Sequence, residues 1–166
     1  MSLFPALIFD ANVLTYLHKL GFLATCINAV EHPFTFDIIR DVELKDMPWA
    51  DVVRANIDVL SLDGEQMANA YAYTVECRGL TISDAGLILL GRIYGHPVFT
   101  EDKLMIHELE RLHLPHITLL EVLEGLVSAN YISRKAGVVA VDRIASELLP
   151  GRYPIECFRL QTLFSV

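Results

Sequence analysis

The stretch that decides the fold is Leu7-Ile8-Phe9-Asp10-Ala11-Asn12-Val13-Leu14, where a short apolar run stops at an aspartate and a helical pattern begins at once. Residues 5–9 read as a buried strand. From residue 12 to about 19, Val13, Leu14, Leu17 and Leu20 recur at the spacing of one helix face, and Gly21 ends the pattern. A buried strand that hands directly to a helix is the opening of an α/β unit, and in open parallel sheets ligands bind at the carboxyl ends of the strands. Asp10 therefore stands where chemistry is done. Aspartate is also an ordinary residue for starting a helix, so the other acids of the chain must decide its role.

Working outward, the alternation of strand and helix repeats. Residues 34–39 have the aromatic and β-branched content of a strand, and 40–47 form a charged turn of helix that Pro48 stops. Glu43 lies in that turn among Asp37, Asp41 and Asp46, any of which could take its place. Residues 59–62 are a short strand, and Asp63 opens a helix running to about 77. Thr81-Ile82-Ser83-Asp84 has the capping-box form, and the apolar run 85–93 behind it predicts a central buried helix. After the turn Gly95-His96-Pro97, Val98-Phe99 ends a strand, and Thr100 is expected to cap a helix whose first turn holds Glu101 and Asp102. Residues 114–118 suggest a last parallel strand. Two helices follow, at 119–129 and 133–148, and the apolar tail from 153 to 166 stays open between strand and helix.

Composition narrows the class. The chain has 166 residues, 53% of them hydrophobic and 20% charged, which suits one well-cored globular domain. Mean hydropathy is +0.40, yet charged residues or histidine interrupt every apolar run before the roughly 20 residues a membrane helix requires. With no basic leader before Asp10, a cytoplasmic protein with no membrane partner is expected. Three widely spaced cysteines argue against both a disulfide framework and a paired-cysteine zinc site. No two of His96, His107, His113 and His116 make the usual ligand pair on one helix face, so chemistry based on histidine is not expected. The lone Trp49 after Pro48 reads as a surface-loop anchor. A net charge of −8 with an isoelectric point near 5.1 excludes holding nucleic acid by bulk electrostatics. A polyanionic substrate would need a local bridge, for which a metal ion is the natural candidate.

Asp10, Glu43, Asp84 and Asp102 each follow a strand or open the helix leading into one. Carboxylates gathered at one sheet edge repel, and oxygen-coordinated divalent cations relieve that repulsion, which points to Mg2+ or Mn2+. On these residues the chain resembles the PIN-domain ribonucleases, the fold of the VapC-type toxins. The resemblance runs from about residue 7 to 118. It is carried by Asp10 and Asn12 in FDANVL, Glu43 in VEL, Asp84 in TISDAGLILL, and Thr100 with Asp102 in VFTEDKL. It implies a three-layer α/β fold, with a mostly parallel central sheet and helices on both faces. Asp10, Glu43, Asp84 and Asp102 would be the catalytic, metal-binding quartet, with Asn12 and Thr100 in support. Further implications are cleavage of single-stranded or looped RNA and a role as the toxin of a toxin–antitoxin pair. The single domain then divides into a core of about 3–118 and a helical extension of about 119–166. Apolar surface left on that extension would find a homodimer, antitoxin or other protein partner.

Two rivals remain. IFDANVLT superficially resembles the aspartyl-nucleophile loop of haloacid-dehalogenase-like phosphatases, but Asn12 stands where that loop supplies a second aspartate. The other rival is a PIN-like module of weak catalytic power that binds a partner through its C-terminal helices.

Overall fold

A computed structural model describes residues 2–165. Its centre is a sheet of five parallel strands in the order β3-β2-β1-β4-β5: β1 is Phe4–Phe9, β2 Val30–Phe36, β3 Asp58–Leu60, β4 Val98–Phe99 and β5 His116–Ile117. The chain is thus the α/β protein that its alternating pattern implied. Leu7, Ile8 and Phe9 are almost wholly buried, as a strand flanked on both edges and covered on both faces must be.

The connections explain that cover. From β1 the chain steps through β2 to β3, then returns across β1 to add β4 and β5 on the other side. Right-handed crossovers in opposite directions place the two sets of helices on opposite faces. The first set is α1 (Ala11–Leu20), α2 (Leu23–Asn28) and α3 (Ala50–Asn56); the second is α4 (Gly64–Glu76), α5 (Ile82–Tyr94) and α6 (Lys103–Arg111). Gly21, at φ +80°, closes α1 in the left-handed conformation open to glycine, and its amide bonds the carbonyls of His18 and Leu17. On the second face, Gly86 of α5 lies directly over the buried Phe36 ring of β2, and no larger residue would allow that approach.

Several boundaries differ from the expected ones. β2 starts four residues early and runs through Pro33, because β3 pairs with β2 only from Phe34 onward and the proline faces an unpaired edge. Residues 39–43 form a single π-helical turn, not a helix to 47, and α3, which has only two buried side chains, had no clear apolar period. Trp49 is not a surface anchor: it is 7% exposed, packs into the core and stacks on His18 at 5.3 Å. Thr100 does not cap α6. Asp102 does, its Oδ1 accepting from the Met105 amide at 2.8 Å, while the Thr100 hydroxyl turns the other way.

The extension folds onto the core as α7 (Leu119–Ser128), α8 (Arg134–Arg143) with a π turn to Leu148, and α9 (Pro154–Ser165). The tail is therefore helical. Its Cys157, Leu160 and Phe164 are buried, and Gly137 of α8 sits against the Phe164 ring. All three cysteines are free thiols.

Candidate carboxylate site at the strand ends

In a sheet of this order the connections after β1 and β4 leave in opposite directions, so a crevice opens between their carboxyl ends. Asp10 follows β1 and Thr100 follows β4. The backbone seats them side by side, since the Asp10 amide donates to the carbonyl of Phe99 at 3.0 Å and Thr100 to that of Ile117 at 3.3 Å. On the other flank the buried Thr35 hydroxyl donates to the Phe9 carbonyl at 2.8 Å. Asp10 occupies the cap position of α1 without making a side-chain cap bond, so its carboxylate is free to face the crevice. It is 4% exposed, and the fully buried Thr100 hydroxyl donates to its Oδ2 at 2.8 Å.

Burial pushes the Asp10 carboxyl up to about 6, and the negative charges of Asp84 and Glu43 push in the same direction, while the Thr100 bond and the Ala11 amide oppose them. Asp84 reaches this edge because α5 must end where β4 begins, which sends its first turn to the opposite edge of the sheet. The capping box forms as its sequence implied: the Thr81 amide donates to Asp84 Oδ2 at 2.7 Å, and the Asp84 amide to the Thr81 hydroxyl at 3.2 Å. Glu43 ends the π turn after β2 and is exposed. Asp102 joins through backbone: its amide donates to the Thr100 hydroxyl at 3.1 Å, while one carboxylate oxygen caps α6. Asn12 is exposed inside the first turn of α1, away from the cap position.

The structure thus brings Thr100, Asp84 and Glu43 within reach of Asp10, and Asp102 beside Thr100. Among the described residues no three Asp, Glu, His or Cys side chains stand close enough to enclose a metal ion. Oxygen donors of this kind suit a hard cation that keeps part of its own water. Magnesium keeps several waters and takes only one or two protein carboxylates, and among the described residues Asp84 Oδ1 and Asp102 Oδ2 have no hydrogen-bond partner.

Sequence reasoning passed over Glu101, between the two site residues Thr100 and Asp102. It is 3% exposed, and its hydrogen-bond and ion-pair partners among the described residues, Leu119, Tyr153 and Arg152, belong to the extension. A groove of about 580 Å3 opens beside it between α6 and α9, running from Lys103 past His107 and His116 to Arg152 and Arg159.

No family model, curated protein or solved structure matches this chain.

Proposed function

We propose that the chain is a ribonuclease of PIN type that uses Mg2+ or Mn2+ to hydrolyse phosphodiester bonds of single-stranded or looped RNA. The observation that carries this reading is a buried aspartate at the crevice of a parallel sheet, held by one hydroxyl and opposed by two further acids. A carboxyl buried at such an edge beside other acids, at a cost to its own ionisation, is the kind of group that marks a functional site.

Asp10 and Asp84 would hold the ion directly, with Asp102 completing the rim and Glu43 acting through water. A bound ion would supply the chemistry of lowering the pKa of a water and offsetting charge on the phosphoryl group. Thr100 fixes the rotamer of Asp10. Glu43, exposed at the end of the π turn, would orient the attacking water and take up its proton as the P–O bond to the leaving oxygen breaks and that oxygen is protonated from solvent, while Asp84 keeps its geometry through the Thr81 bonds. No residue of the chain forms a covalent intermediate in this scheme.

The test is cleavage of labelled single-stranded RNA in Mg2+ or Mn2+ by the protein and by Asp10→Asn and Asp84→Asn. Loss of cleavage in both variants and in chelator supports the reading; a wild-type rate in Asp84→Asn overturns it. A second reading, a PIN-like module that binds a partner without cutting, is favoured by the lack of a three-carboxylate enclosure among the described residues. Its mark would be no cleavage of any RNA. Under either reading, the partner surface of a toxin-like protein, whether for an antitoxin or a second copy, would include Ile155 and Phe158 of α9, exposed at 77% and 71%. Sedimentation of Phe158→Asp against wild type tests that surface. No helix of the described residues is long and apolar enough to cross a membrane, and a cytoplasmic setting is proposed with the rest.

A further inference from the structure

The turn Thr100-Glu101-Asp102 faces two ways. Thr100 holds Asp10, and Asp102 bonds back to Thr100 and caps α6. Between them Glu101 points into the protein. Its Oε1 accepts from the Leu119 amide at 2.6 Å, its Oε2 from the Tyr153 hydroxyl at 2.9 Å, and Arg152 Nε lies 3.6 Å from Oε2. Arg152 also lies over the Tyr153 ring, 5.2 Å from its centroid. A carboxylate sealed from water is costly, and an apolar residue of similar volume would hold two packed layers together as well or better. What the carboxylate adds is direction. Three donors from the start of α7 and the approach to α9 fix one oxygen each way, so the backbone on both sides of Glu101 has one permitted placement.

We propose that Glu101 is a positioning residue of the carboxylate site, the joint through which the C-terminal extension holds Thr100 and Asp102 in register against Asp10. This rests on the reading of that site as functional. The extension is then part of the site's support, and not only a surface for partners. Glu101 touches neither substrate nor ion. It acts on the reaction through its two neighbours, as residues behind a metal's direct ligands do, where substitution costs about tenfold or more in affinity.

The experiment compares the full chain with Glu101→Ala, Tyr153→Phe and, as control, Arg159→Gln. The control cuts a different tie of the extension, the bidentate pair of Arg159 with Glu124, which does not involve Glu101. Two quantities are read: amide hydrogen exchange at Asp102 and Met105 by NMR in chelator, and Mn2+ affinity by titration calorimetry. Both amides donate to side chains of the turn, so they report its placement directly. The expected result is exchange at least about tenfold faster at these two amides in Glu101→Ala and Tyr153→Phe, with Mn2+ bound about tenfold more weakly and Arg159→Gln like wild type. Should Glu101→Ala not fold, Tyr153→Phe, which removes a single hydroxyl, decides alone. Wild-type exchange at Asp102 and Met105 in the folded variants overturns the proposal, as does an equal effect from Arg159→Gln. If exchange responds as expected but the wild-type protein takes up no Mn2+, the joint stands and the metal reading of the site falls.

Discussion

The Thr100 hydroxyl reaches Asp10 across 90 positions of sequence, donating to Oδ2 at 2.8 Å with both residues buried. That bond favours the ionised form of a carboxylate that burial and two neighbouring charges drive towards the neutral one.

Thr100→Val should therefore raise the Asp10 pKa further above its present value of about 6. The variant keeps the shape and loses the donor, so the acid limb of any activity moves to higher pH. Leaving the Oδ2 atom unpaired should also cost about 1–3 kcal/mol of stability. Thr100→Ser should restore both, and an NMR titration of the Asp10 carboxyl in chelator reads the shift directly.

Asp10→Asn should stabilise the metal-free protein at neutral pH. A carboxyl raised from 3.8 to about 6 on folding makes the native state bind a proton that the unfolded state has released. Stability from this group is therefore full below pH 3.8 and falls as pH rises to about 6. Above that the penalty is constant, on the order of 3 kcal/mol. Asparagine keeps an acceptor for Thr100 and carries no charge. Urea unfolding in chelator should show a gain of about 1–3 kcal/mol at pH 7.5, disappearing by about pH 4.

Added Mn2+ should raise the melting temperature of the wild-type protein and raise that of Asp10→Asn much less. An ion at 100 times its dissociation constant stabilises the folded state by about 2.7 kcal/mol. A thermal-shift titration makes the comparison without knowledge of any substrate. Equal shifts in the two proteins would remove Asp10 from the set of ligands.

Gly86→Ala tests how α5 is held. A Cβ at that position collides with the Phe36 ring, which is fully buried and has nowhere to turn. The helix must move out or the ring must leave its rotamer, at a cost of about 1–3 kcal/mol. Because Asp84 lies two residues earlier on the same helix, the proposed cleavage activity should fall together with stability. Far-UV circular dichroism with an activity assay would separate this from global unfolding.

What could be read before folding was the local chemistry. The Thr81–Asp84 capping box and the stop at Gly21 depend on residues a few positions apart, and both formed as their sequences imply. The parallel sheet followed from apolar runs alternating with helical periods. Less legible was anything decided by partners far along the chain. Thr100 and Asp102 are both good helix caps, and only the presence of Asp10 beside β4 shows why Asp102 takes that role. Glu101 looks like a solvated helix acid until Leu119, Arg152 and Tyr153 are folded over it. Pro33 broke the expected strand because nothing local shows that β3 is too short to reach it.

The same long reach orders events during synthesis. Asp10 emerges early, but the hydroxyl that holds it follows 90 residues later, a delay of roughly 5–20 s at ordinary translation rates. The tyrosine that locks Glu101 comes a further 52 residues behind its partner. A nascent chain thus carries the aspartate long before it carries the setting that gives that aspartate its character.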